Sequence, residues 1–132
     1  MSDFSYDLVV IGSGPAGEGA AMSAVKLGWR VAVVDERSMA GGGCTHLGTI
    51  PSKALRHSVR RMMQYNTMPM FRAVGDPKWF SFPEVMKAAD DVITKQVQGR
   101  TKGYARYRVQ MHIGRAKFEG SHEISVTAKD GK

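Results

Sequence analysis

The segment Gly12-Ser13-Gly14-Pro15-Ala16-Gly17 constrains this chain more than any other feature, because of what flanks it. Leu8, Val9, Val10 and Ile11 precede it as a contiguous apolar run, the mark of a strand covered on both faces, and a strand is expected over residues 6–11. Pro15 suits the first position of a helix, where no amide donor is needed. That helix is expected to reach about Leu27, with Ala16, Ala20, Ala24 and Leu27 along one face and Gly28 as its C-terminal cap. Residues 30–35 read as a second buried strand, which completes a βαβ unit.

Each glycine of the turn has its own task in such a unit. Gly12 permits the tight turn, Gly14 lets the backbone approach a diphosphate where a β-carbon would collide, and Gly17 lets the helix lie close to the strand. Pro15 and Ala16 belong to a helix start whose free amides and positive dipole end face the anion. Asp35 ends the second strand, where a carboxylate is expected to hydrogen-bond a ribose. It would repel a 2′-phosphate, so FAD or NAD is expected at this turn rather than NADP. Glu36 is the next carboxylate, past the strand and expected toward solvent. The βαβ unit alone does not choose between FAD and NAD.

Downstream, residues 36–50 read as a loop containing Gly41, Gly42 and Gly43, and Pro51 as the opening of a helix with Leu55, Val59, Met62 and Met63 as its apolar stripe. Residues 66–78 look irregular. Ser81 and Glu84 form a capping-box pattern for a helix expected to end near Gln98, carrying Val85, Met86, Ala89, Val92 and Ile93, with Gly99 and Gly103 loosening it. Short strands are expected over 108–113, 116–119 and 123–128, punctuated by Gly114 and Gly120. Asp130-Gly131 is a hairpin-turn signal that calls for a returning strand. The expected fold class is α/β: a Rossmann-like parallel sheet with extra helices and a small antiparallel β segment.

Composition narrows the remaining function classes. The net charge of +7 is spread along the chain with no run of five like charges, which reads as solvated helix faces and not as a nucleic-acid or membrane surface. One cysteine, Cys44, excludes an internal disulfide and any multi-cysteine zinc site, and fits a reducing compartment. The polar start and the short apolar run at 8–11 fit neither a signal peptide nor a membrane span, so a cytoplasmic location is expected.

The stretch Gly41-Gly42-Gly43-Cys44-Thr45-His46-Leu47-Gly48-Thr49-Ile50-Pro51-Ser52-Lys53-Ala54-Leu55 resembles the active-site segment of the flavin disulfide reductases, the family of lipoamide dehydrogenase and glutathione reductase. That segment carries G-G-x-C, four residues, a second Cys, a hydrophobic residue and Pro-x-Lys. The resemblance implies FAD at the glycine turn and the cysteine segment beside the flavin. Cys44 matches the first cysteine, but Thr49 stands at the second. A disulfide relay needs two sulfurs, one attacking and one leaving, and a threonine hydroxyl supplies neither. What survives is hydride exchange between a nicotinamide and the flavin.

The same segment through Arg56 and His57 is similar to the soluble pyridine nucleotide transhydrogenases, as are residues 12–21 and, more softly, residues 78–83 and 95–97. This likeness implies hydride transfer between NADPH and NAD through FAD, with NAD and NADP as substrates, nicotinamide nucleotides as partners, and a homo-oligomer. It also implies parts that residues 1–132 lack: the strand completing the FAD domain, a second glycine-rich nicotinamide domain, and a dimer interface. The chain is therefore read as the N-terminal part of an FAD-binding domain, inactive alone, with an open sheet edge. Two alternatives stay open, a non-catalytic FAD- or ADP-binding module and another thiol-less flavin-dependent oxidoreductase.

The resemblance places Lys53 by the flavin ring as a fixed cation, and Thr49 near the flavin as a hydrogen-bonding group or a space filler. Gly42, Gly43, Cys44 and Thr45 join the cofactor-binding candidates, with Cys44 expected as an unreactive buried thiol. His46 and His57 are read as structural or surface residues, and Met62, Met63, Met68 and Met70 as adaptable packing. Trp79 and Phe80 are expected as core or interface anchors.

Overall fold

A computed structural model of the chain describes residues 4–128. Its first three elements are strand β1 (Leu8–Ile11), helix α1 (Pro15–Lys26) and strand β2 (Val31–Asp35). The two strands pair in parallel, Leu8 opposite Val31 through Ile11 opposite Val34. Gly28 takes a φ of +85° just after α1, the left-handed cap expected there. The buried face of the helix is set by Ala21 and Ala24, with Met22 and Val25 half-buried. Of the expected face, Ala24 is buried, whereas Ala16, Ala20 and Leu27 are exposed, because the helix is rotated to set Ala21 beside Ala24 on the sheet.

Four helices follow: α2 (Gly42–His46), α3 (Thr49–Thr67), α4 (Pro69–Arg72) and α5 (Phe82–Arg106). The expected loop over 36–50 thus holds a helical turn. Helix α3 begins two residues before Pro51, which costs nothing because a proline in the first turn removes an amide that has no partner there. The segment expected to be irregular over 66–78 is helical in part, since α3 continues to Thr67 and α4 follows it. The stretch after α4 is tied back by Asn66, whose Nδ2 donates to the Lys78 carbonyl at 2.9 Å and whose Oδ1 accepts from the Lys78 amide at 2.8 Å. Ser81 and Glu84 form the expected capping box. Helix α5, however, runs straight through Gly99 and Gly103 to Arg106. Each glycine costs a helix about 1 kcal/mol relative to alanine. Here the penalty is offset by contacts to the first unit: Arg100 pairs with Glu18, and Tyr104 is buried.

Strand β3 (Gln110–Ile113) joins β2 in parallel on the side away from β1, giving the order β1-β2-β3. Strands β4 (Arg115–Phe118) and β5 (Ile124–Thr127) form a separate antiparallel pair. The Asp130-Gly131 turn lies outside the described residues.

The central strand explains where the core sits. Val31, Ala32, Val33 and Val34 are all buried, as a strand covered on both faces requires. Val31 and Val33 pack with Ala21, Ala24, Ala40, Tyr104 and Val109. Ala32 and Val34 line a cleft of about 1030 Å³ on the other face, with Val9, Ile11, Phe118, Ile124 and Val126. Strand β1 is an edge, and Ile11 is exposed there. A second apolar groove, about 710 Å³, opens among α3, α4 and α5, lined by Met62, Tyr65, Met68, Phe71, Phe80 and Val85. Trp79 and Phe80 are exposed beside it, so neither is a core residue.

Candidate functional site

The glycine turn is held open from beneath by a polar network. Ser13 is fully buried, and its amide and hydroxyl donate to Asp35 Oδ2 at 2.7 and 2.6 Å. The Arg37 amide donates to Asp35 Oδ1 at 2.9 Å. Burial alone would raise the Asp35 carboxyl. The Ser13 hydroxyl, the two backbone amides and the Arg37 charge outweigh it and hold the group below its ordinary value. A carboxylate offers about four acceptor positions. Three are used within the chain, which leaves one on Oδ1 for a further donor. Glu36 is exposed, 3.8 Å from Arg115, and takes no part in this network.

The turn itself divides its glycines sharply. A β-carbon on Gly17 would land on the Gly12 carbonyl oxygen and 3.1 Å from Val10 Cγ1, so the close approach of α1 to β1 depends on its absence. At Gly12 and Gly14 a β-carbon would meet nothing within 4 Å, so the space in front of the turn is free. The Gly12 amide donates to Val34, and the Glu18 amide to Gly14. Among the described residues, no acceptor takes the amides of Gly14, Ala16 and Gly17. Three free amides at the positive end of α1, with open space before them, form an anion-binding concavity.

The second glycine loop is joined to the first. The Gly41 amide donates to both the carbonyl and the hydroxyl oxygen of Ser13, each at 3.1 Å. Gly42 has a φ of +59°, and a β-carbon there would sit 2.8 Å from Gly14 Cα. A β-carbon on Gly41 would sit 2.6 Å from Thr45 Oγ1. The steric need for glycine therefore falls on Gly41 and Gly42, whereas Gly43 is exposed with open space around it. Thr45 is fully buried, and its hydroxyl has no hydrogen-bond partner among the described residues.

Cys44 is a free thiol in α2, half-buried where full burial was expected. His46 Nε2 lies 3.1 Å from the Ala40 carbonyl, a structural tie, and His57 is exposed on α3. Thr49 opens α3 and Lys53 follows one turn later. Both are exposed, and no hydrogen bond joins either side chain to the glycine network among the described residues. The structure thus brings together Gly12, Gly14, Gly17, Asp35, Gly42 and Thr45, and leaves Lys53 and Thr49 on the adjoining helix. Sequence reasoning passed over Ser13, Gly41 and Arg100. Only Ser13 carried a signal, as a small polar residue next to the glycine whose amide must turn inward.

A family model described as pyridine nucleotide-disulphide oxidoreductase matches residues 6–131. Soluble pyridine nucleotide transhydrogenases of Stutzerimonas stutzeri and Pseudomonas putida are each 60% identical over 99% of this chain. The chain spans 28% of the length of those relatives. Among solved structures, the Cu(II) complex of the HOCl-induced flavoprotein disulfide reductase RclA from Escherichia coli superimposes with a TM-score of 0.76 at 25% identity, over 97% of this chain and 26% of that one. A further structure of that reductase gives a TM-score of 0.69 at 27% identity, over 89% and 24%. On the extent of the family match and on the glycine-turn geometry, the chain belongs to the pyridine nucleotide-disulphide oxidoreductase family.

Proposed function

We propose that this chain is the N-terminal part of the FAD-binding domain of a soluble pyridine nucleotide transhydrogenase, which passes hydride between NADPH and NAD. The observation that carries the reading is Thr49, at the place of a second cysteine in a chain whose one thiol is Cys44. With 60% identity to curated transhydrogenases over 99% of the chain, the loss of the dithiol is the departure that separates transhydrogenation from disulfide reduction.

The residues fit FAD. The open space at Gly12 and Gly14, the free amides of Gly14, Ala16 and Gly17, and the unused acceptor position of Asp35 suit a diphosphate joined to a ribose. The orphaned Thr45 hydroxyl beneath Gly41 offers a further polar contact. When bound, FAD supplies the hydride-accepting ring. This chain's own residues bind and orient: the glycine turn holds the diphosphate, Asp35 the ribose, and residues 42–45 bring backbone close to the cofactor. Lys53 supplies a fixed cation on α3, and Thr49 a hydroxyl in place of a thiol. Glu36 is exposed and serves at most the rim. The intact protein acts as a cytoplasmic homo-oligomer with nicotinamide nucleotides as its partners and without a nucleic-acid or membrane partner; among the described residues no helix is long and apolar enough to cross a membrane.

Steady-state assay of the intact protein with NADPH and a thio analogue of NAD tests this. Turnover is expected with that pair and none with lipoamide or glutathione disulfide, while residues 1–132 alone are expected to be inactive. Disulfide reduction, or a purified intact protein that holds no flavin, would overturn the reading.

A further inference from the structure

Glu18 and Arg100 lie 82 positions apart in sequence and meet in space, Arg100 Nε donating to Glu18 Oε2 at 2.8 Å. Arg100 Nη1 is held along α5 by the Gln96 carbonyl at 3.3 Å and by Gln96 Oε1 at 3.1 Å. The two paired side chains are 14% and 29% exposed, so water screens them poorly. Tyr104, one turn further along α5, is buried against α1 and the sheet. Burial first, and the charge of Glu18 second, push its hydroxyl above the ordinary tyrosine range.

The position of Glu18 makes this pair more than a helix-to-helix tie. It is the acidic residue of the first turn of α1, the turn whose free amides form the anion concavity. A carboxylate there interacts with the same positive helix end that a diphosphate would use, and an unpaired one would repel that ligand. Arg100 removes the conflict by cancelling the charge within a shielded pair. We propose that Arg100 is a positioning residue for the cofactor: by holding Glu18 in a neutral pair, it reserves the N-terminus of α1 for the diphosphate of FAD. The proposal rests on the FAD reading of the glycine turn.

The test measures FAD binding to the intact apoprotein by quenching of flavin fluorescence, at low and high salt. Arg100→Met is expected to weaken FAD affinity about tenfold at low salt, with the loss shrinking at high salt as the exposed carboxylate is screened. Arg100→Lys should bind nearly as wild type. Glu18→Gln should bind as well as wild type or better, and Glu18→Gln combined with Arg100→Met should recover most of the affinity. A merely structural tie predicts the reverse: the double variant would be as weak as Arg100→Met, without salt dependence. If Arg100→Met fails to fold, Glu18→Gln decides, and weaker binding by that variant overturns the proposal. Equal binding by wild type and every variant would sink this proposal alone, whereas a wild-type protein that binds no FAD would sink the FAD reading with it.

Discussion

The glycine network and the helical hairpin of α3, α4 and α5 are built on opposite principles. In the first, buried polar groups and close backbone contacts lock a small volume around the open amides of the turn: Ser13 is fully buried, Asp35 accepts three hydrogen bonds, and backbone packs on backbone at Gly17 and Gly42. In the second, large apolar side chains are plentiful but shallow. Met68, Met70, Val74, Trp79, Phe80 and Phe82 are all exposed, and the buried set is small. The difference shows that hydrophobic residues alone do not make a core. The first region excludes alternatives through steric closure and paired polar groups, while the second leaves its apolar stripes facing an open groove.

The sharpest way to break that comparison is Gly17→Ala. Its β-carbon would overlap the Gly12 carbonyl, a rigid backbone neighbour, so a loss of about 3 kcal/mol or more is expected in denaturant unfolding. A variant as stable as wild type would show that the turn yields. Asp35→Ala should cost less, about 2 kcal/mol, because it strands two donors of a fully buried Ser13. The pH dependence sharpens this. The folded carboxyl lies below its ordinary 3.8, so its stabilisation is complete above that value and is lost as pH falls through the folded one. The stability gap between wild type and Asp35→Asn should therefore narrow below about pH 4, and a gap that stays constant to lower pH would count against the network. The smallest change is expected in the helical hairpin, where Asn66→Ala removes the tie to Lys78 and should cost about 1 kcal/mol by the same measurement.

The βαβ unit was legible because its signals are local. Contiguous apolar runs, Pro15 and Gly28 each act on their immediate neighbours, and the structure follows them to within a residue or two. Helix α5 was not, because Gly99 and Gly103 argue for a break, whereas the reason to continue lies in Glu18 and the sheet, far away in sequence. The buried face of α1 was misplaced for a related reason: Ala16, Ala20, Ala21 and Ala24 look alike in sequence, and only the neighbouring sheet chooses among them. At the candidate site, the turn and Asp35 could be read from spacing. The roles of Ser13 and Gly41 could not, since they arise where two loops from different parts of the chain meet.

That meeting has a consequence for how this segment tolerates change. Because Gly42 rests on Gly14 and the Gly41 amide is shared by two oxygens of Ser13, the two loops are held in mutual register. An inserted residue in either would slide one contact off the other, however suitable its chemistry. Loop length at residues 12–14 and 41–42 is thus as tightly fixed as residue type, and viable insertions belong at the tips of the helical hairpin instead.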